Sequence, residues 1–547
     1  MASYPRIFPL LRRKPPSTIR SLVSCCKCLQ KEGHASRWAS RHPTTSTSSS
    51  LRNVRFASTE ASLPKSTFVP LKPSSSSPLG ILSKSIGGEV PPAGFFPATT
   101  ENSVAYWLIG SAASVFGIVV FGGLTRLTES GLSITEWRPV TGSVPPVSAS
   151  DWDSEFSKYK SSPEFRLLNQ HMTLPEFKKI YYMEWTHRLW GRLVGLTFVI
   201  PAAYFIARRK VSGPMSAKIV GIGGLIGLQG VLGWWMVKSG LKDDLFAPGS
   251  HPRVSQYRLT AHLGTAFLCY SAMVWNGLSI LRENRLLRDP VAATKELATL
   301  RSPTLAPLRR SAGVVAGLVF LTAMSGGLVA GLDAGLIYND FPYMGMGFTP
   351  PRSELFSDFY SRRPDGSDIW WRNMLENPST VQLDHRILAT TTFSAIMALW
   401  AYGRFGRGGA IRAAMPHAVK RGVNSVVHLV WLQVVLGIST LIYLVPVPLA
   451  AAHQASALAL LTGTVVLGSR VWVPRRAARL VAEKLGARAS LEKMHGIVRS
   501  PTRPFGTQNL AKTGPATLGP ARKSTERLLG GNAPAATTTA TTITTTT

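Results

Sequence analysis

Eight apolar segments, each long enough to cross a bilayer, recur along this 547-residue chain. They lie near 104–124, 189–207, 219–237, 259–281, 311–332, 387–403, 423–445 and 449–469. A membrane span needs roughly 20 predominantly apolar residues, and 219–237, 259–281, 311–332 and 423–445 contain no Lys, Arg, Asp or Glu at all. In lipid the backbone must satisfy its own hydrogen bonds, so such segments are expected as helices. The predicted class is an all-α integral membrane protein with eight transmembrane helices. Composition sharpens the reading, since only 16% of residues are charged, yet Lys and Arg outnumber Asp and Glu by 61 to 28. A formal charge of +33 suits either a nucleic-acid binder or a membrane protein with basic flanks. The charge-free apolar blocks exclude nucleic-acid binding for the bulk of the chain.

The two ends differ from the middle. Residues 1–59 hold eleven basic residues and one acidic residue, Glu32, and are rich in Ser and Thr. That is the composition of a mitochondrial transit peptide, with Arg55-Phe56-Ala57-Ser58 as the candidate processing site. Three of the four cysteines, Cys25, Cys26 and Cys28, fall in this leader and are read as part of it rather than as a metal site. Cys269 is left alone, which excludes an intrachain disulfide in the remainder. Residues 60–103 read as a Pro/Ser-rich linker. Residues 471–547, with twelve basic and three acidic residues and a Thr-rich end, read as a disordered tail whose basic groups face anionic lipid. Loops after spans 2, 4 and 6 hold 16 basic and 3 acidic residues, against 15 and 18 for loops after spans 1, 3 and 5. Basic loops stay on the side of insertion. With a transit peptide in front, that side is the matrix, so a multi-pass inner-membrane protein with both termini in the matrix is expected.

The chain also repeats itself. Gly122-Gly123-Leu124 ends span 1 and Gly326-Gly327-Leu328 lies in span 5; Glu184-Trp185-Thr186-His187-Arg188 opens span 2 and Gln382-Leu383-Asp384-His385-Arg386 opens span 6. Leu228-Gln229 and Gly233 in span 3 match Leu432-Gln433 and Gly437 in span 7, and Ala261-His262 matches Ala452-His453. Four markers in one order imply duplication. Four spans per unit give both halves the same orientation, hence a parallel repeat. Two four-helix bundles are predicted, 104–281 and 311–470, joined by a matrix linker at 282–310.

Chemistry concentrates on histidine. Among eleven histidines, His187, His262, His385 and His453 each lie at the start of an even-numbered span, so all four sit near one membrane face, one pair per bundle. Two imidazoles in an oily bundle suit a heme iron, ligated from both sides of its plane; zinc would need further ligands that no cysteine pair or carboxylate cluster supplies. Hydrogen-bonded interhelical histidine is the plain alternative. His428 has no counterpart and is read as structural. Glu184 shares a helix face with His187, while the matched position holds Gln382, which points to a catalytic first bundle and a heme-holding or relay second bundle. Proton transfer is the role considered for Glu184, against interfacial hydration or pairing with Arg188. Arg188 and Arg386 are candidates for heme propionates or for snorkelling to the interface. Gln229 and Gln433 read as interhelical packing groups, and the glycine pairs as points of close approach. The aromatic-rich loop 1 (Trp137, Trp152, Tyr159, Tyr181, Tyr182, Trp185) with Glu129 and Glu136 suits either a cap on the first bundle or an interfacial belt. Loop 5, with Asn339-Asp340-Phe341-Pro342, is the equivalent candidate for the second.

These residues resemble a known family. Gly122-Gly123-Leu124-Thr125-Arg126-Leu127-Thr128 with Ser130-Gly131-Leu132-Ser133, Glu184-Trp185-Thr186-His187-Arg188, Ala261-His262-Leu263-Gly264, Leu383-Asp384-His385-Arg386 and Ala452-His453-Gln454 together look like the heme A synthase family, cytochrome oxidase assembly proteins, from about residue 100 to 470. Loop 1 lacks the cysteine pair of some bacterial members, so the chain resembles the mitochondrial type. The resemblance implies a heme-dependent oxidoreductase that oxidises the C8 methyl of heme O to a formyl group by successive hydroxylations. It implies His187 and His262 flanking heme O with Glu184 catalytic, and His385 and His453 ligating a heme B cofactor. Implied partners are ferredoxin and ferredoxin reductase as electron source, the protoheme farnesyltransferase that makes heme O, and the lipid bilayer; a homo-oligomer is left open. The competing readings are a diheme b-type electron carrier without methyl oxidation, and a transporter built on the four-span repeat.

Overall fold

Proline and capping residues mark the starts of several long helices. The computed structural model describes residues 96–242, 245 and 252–498; the leader, most of the 60–103 linker and the end of the tail lie outside the described residues. The helices that matter here are α1 (Asn102–Leu127), α2 (Ala149–Lys160), α3 (Leu174–Ala207), α4 (Gly213–Gly240), α5 (Gln256–Arg288), α6 (Pro290–Arg301), α7 (Ala306–Gly331), α8 (Pro378–Phe405), α9 (His417–Ile442), α10 (Val447–Val471) and α11 (Arg475–Val498). Pro sits in the first turn of α3, α4, α6, α7, α8 and α10, where its missing N–H costs nothing and its fixed φ favours the helix. At α3 the Glu176 carboxylate accepts from the Thr173 backbone N–H at 2.8 Å, half of a capping box.

That box starts α3 well before its apolar window. The expected loop 125–186 therefore ends in about four helical turns, carrying Phe177, Tyr181 and Glu184 buried on one face. The 282–310 linker is likewise helical, filled by the end of α5 and by α6. The tail expected to be disordered from 471 begins with α11; Ala477, Ala478 and Val481 bury against Leu286, Ala293 and Leu297, apolar surface that composition averaged over the whole tail conceals.

Seven helices among the described residues are long and apolar enough to cross a membrane, which makes this an all-α membrane protein. The region of α8 falls outside that set. It is 28 residues long but carries Asp384, His385, Arg386 and three consecutive threonines, Thr390, Thr391 and Thr392. Helices α1, α3, α4 and α5 pack in a ring, each against the next and α5 against α1; α7, α8, α9 and α10 do the same. The rings meet along α5–α7, α1–α10 and α5–α10. One apolar core runs through both, from Leu108 and Val115 on α1 through Phe198, Phe267 and Met273 to Val315, Ile396, Val426 and Leu461. Polar ties cross the seam. Tyr270 and Thr462 share a hydrogen bond of 2.7 Å, Gln454 donates to the Val119 carbonyl at 2.9 Å, and Asp333 receives both Arg126 (2.6 Å) and Arg253 (2.8 Å).

Candidate functional site

Antiparallel neighbours bring the end of one helix beside the start of the next, and this places each of the four histidines against a glycine. His187 on α3 lies on Gly122 of α1, His262 on α5 on Gly233 of α4, His385 on α8 on Gly326 of α7, and His453 on α10 on Gly437 of α9. A Cβ built at these glycines would approach the imidazole Cε1 to 2.7, 3.3, 3.2 and 2.8 Å respectively. Ordinary carbon contacts lie near 3.5–4.0 Å, so only glycine seats each ring this closely. His187 and His262 belong to one ring of helices, and His385 and His453 to the other. All four imidazoles are half-buried. His428, by contrast, is exposed on α9.

Within each pair one imidazole has a polar neighbour at Nδ1 and the other has none. Ser325 donates to the Thr322 carbonyl at 2.7 Å and lies 2.7 Å from His385 Nδ1. Ser325 and His385 thus share a hydrogen bond whose direction follows the imidazole tautomer; with Nδ1–H donating, Nε2 keeps the lone pair that a metal takes. The residue in register with Ser325 is Phe121, which lies parallel to the His187 ring at 6.5 Å; Nδ1 of His187, like Nδ1 of His453, is buried with no partner. The amide of Gln229 stands 2.9 Å from His262 Nδ1, and Gln433 Nε2 stands 3.3 Å from His453 Nε2. Both glutamines thus touch imidazoles, a role beyond the packing expected of them; their register with the histidines was visible, but which way their helix faces turned was not.

Glu184 is 3% exposed and fully engaged. One oxygen accepts from Ser133 Oγ (2.7 Å) and the Ile134 N–H (2.8 Å); the other pairs with Arg188 at 2.6 Å. Arg188 also donates to the carbonyls of Ile134 (2.9 Å) and Glu136 (3.2 Å). The pair therefore clamps the α1–α3 connection onto α3, one turn from His187. The second half repeats the device without the carboxylate. Gln382 donates to the Ala334 carbonyl (2.8 Å), while Arg386 donates to the carbonyls of Tyr338 (2.8 Å), Asp340 (2.9 Å) and Tyr343 (3.1 Å). Nε of Arg386 is buried without a partner.

Over the first ring sits an aromatic cap. Phe156 and Tyr159 of α2 stack on Phe177 of α3 at 4.9 and 5.2 Å, and Trp152 meets Tyr181 at 5.1 Å. Trp137 and Tyr182 instead remain 48% and 43% exposed. Loop 1 thus divides between the two roles considered for it. Inside the cap lies Glu164, which the sequence pattern did not single out. It is 4% exposed and one oxygen meets no partner. Burial, with the charges of Glu184 and Glu129 adding, pushes its carboxyl up to about 8.

Two matched histidine pairs fit heme, whose iron takes one imidazole on each face. No group of three or more His, Cys, Asp or Glu among the described residues could hold a bare ion. The fold therefore defines a helical membrane protein that carries two glycine-seated histidines in each of two rings of helices. Residues 105–465 match the family model of cytochrome oxidase assembly proteins. The chain is 52% identical over 385 residues to the heme A synthase COX15 of Saccharomyces cerevisiae, covering 70% of this chain and 78% of that protein. It is 46% identical over 369 residues to human heme A synthase COX15, covering 67% and 82%. A heme A synthase of Nitrosospira multiformis is 43% identical over 364 residues, covering 66% and 91%. The chain belongs to the cytochrome oxidase assembly family of heme A synthases.

Proposed function

We propose that this protein oxidises the C8 methyl of heme O to a formyl group, making heme A, as a multi-pass protein of the mitochondrial inner membrane. The observation that carries the reading is the doubled pair of imidazoles, each seated on a glycine at the same end of its helices. His187 and His262 bind the iron of the substrate heme O. His385 and His453 hold heme B, which supplies one-electron transfer when bound. The carboxylate asymmetry supports this division: Glu184 stands buried one turn from His187 in the first ring, where the second ring has Gln382.

Glu184 is the catalytic carboxylate, one turn from His187, and its Gln382 counterpart cannot carry a proton. Arg188 and Arg386 first hold the connecting loops; propionate contact falls to the N–H groups left over, Nε of Arg386 among them. In this reading all eight long helices span the membrane as two parallel repeats, and the basic even loops, 16 against 3, keep both termini in the matrix. Ferredoxin and its reductase supply electrons; a relative in Schizosaccharomyces pombe, 49% identical over 387 residues, is a heme A synthase–mitochondrial ferredoxin fusion protein. The farnesyltransferase that makes heme O supplies the substrate.

Coexpression with a heme O source, followed by heme extraction, tests the proposal. Heme A should appear, and should vanish in Glu184→Ala. Bound heme B with heme O unchanged under a working reductant would instead establish a diheme electron carrier.

A further inference from the structure

Hydroxylating a methyl group moves protons as well as electrons. If water donates the oxygen, CH3 and H2O give CH2OH with two protons and two electrons released. If dioxygen donates it, two protons and two electrons are taken up and water forms. Either way two protons cross between a covered site and solvent at each hydroxylation, and histidines serving as iron ligands are poorly placed to carry them.

The cap over the first ring holds three carboxyl groups in graded burial. Glu129, just past the end of α1, is exposed; Glu164 and Glu184 are 4% and 3% exposed. Both Glu129 and Glu184 act electrostatically on Glu164, as does Arg126 from the end of α1. Tyr159 of α2 feels all three carboxyls, and its hydroxyl accepts from Asn169 at 2.9 Å. Arg188, on α3, is committed to Glu184. Glu164 leaves a buried oxygen without a partner. An unpartnered buried carboxyl costs stability, and a neutral side chain would fill the same space without that cost. Its charged form is disfavoured up to about pH 8, so near neutrality it holds a proton to give.

We propose that Glu164 carries protons between the aqueous phase at Glu129 and the carboxylate of Glu184 during heme O oxidation. The inference rests on the function proposed above. The proton leaves Glu164 for Glu184, or returns to it, with no change of redox state. Glu164 acts through Glu184 and is a positioning and proton-supplying residue rather than a catalytic one.

The test uses the full chain coexpressed with a heme O source, as wild type, Glu164→Gln and Glu164→Asp. Glu164→Gln should bind both hemes with unchanged spectra, yet convert heme O at least tenfold more slowly. It should also lose the limb of the pH–rate profile near pH 8, and Glu164→Asp should recover part of both. Infrared spectroscopy should show a protonated-carboxyl stretch at pH 7 that titrates away above about pH 8 and is missing in Glu164→Gln. Wild-type conversion and an unchanged pH profile in Glu164→Gln would overturn the relay, as would an infrared band indifferent to the substitution. Absence of heme A from wild type would overturn the proposed function itself, while the infrared comparison still reports on Glu164.

Discussion

Gly437→Ala should cost this protein its second-site heme while leaving the fold in place. The new Cβ would stand 2.8 Å from Cε1 of His453, so the ring must retreat by roughly 0.7–1.2 Å to reach ordinary contact. Ligand geometry tolerates about 0.5 Å. The same change at Gly326 puts the Cβ at 3.2 Å from His385, where roughly 0.3–0.8 Å suffices. Loss of a group that orients a metal ligand typically lowers affinity about 10–100-fold, equivalent to about 1.4–2.8 kcal/mol. Gly437→Ala is expected in that range and Gly326→Ala below tenfold. Alanine also favours a helix over glycine by about 1 kcal/mol, so thermal stability of the heme-free protein should hold or rise. The assay is heme B per polypeptide after purification in detergent, with retention followed on dilution. Equal loss in both variants, or full retention in Gly437→Ala, would refute the contact-distance reasoning.

Four further outcomes are expected. Ser325→Ala removes the hydroxyl hydrogen-bonded to His385 Nδ1 and should weaken heme B about 10–100-fold, seen as faster heme loss with a perturbed absorption spectrum. Arg188→Ala breaks a pair buried against α3 and should destabilise by about 3–5 kcal/mol; limited proteolysis should cut the α1–α3 connection, which Glu184→Gln should leave better protected. Asp333→Asn removes the negative charge shared by Arg126 and Arg253 while keeping one acceptor oxygen, at half-exposed positions where each ion pair is worth about 0–1 kcal/mol, so thermal unfolding should shift only slightly. Glu164 is raised to about 8 from 4.5, so between those values the folded chain keeps a proton that the unfolded chain releases. Its contribution is full below about pH 4.5 and lost as pH rises through about 8; Glu164→Gln should flatten the unfolding midpoint over that window.

Much of this architecture is legible in the residues. Apolar runs locate most of the long helices, and the matched Gly122/Gly326 and His187/His385 meet as glycine–imidazole contacts in both rings. What escaped has a common cause. Hydropathy sees lipid-facing surface, so it missed the polar first turns of α3, which are held by Phe177 and Tyr181 packing under α2. It also missed α11, whose apolar stripe is thin beside its basic residues. Contacts between helices depend on how each is rotated, which no single segment encodes. Hence Ser325, one residue before a marked glycine, passed unremarked although it hydrogen-bonds His385. Glu164 is conspicuous only once its burial and its unpartnered oxygen are seen.

The central claim is that one half holds heme B and the other receives heme O. Heme B content of purified His385→Ala and His187→Ala, prepared side by side with a heme O source, tests it most directly. His385→Ala should lose heme B, and His187→Ala should keep it while making no heme A. Loss of heme B from His187→Ala with retention in His385→Ala would contradict the account.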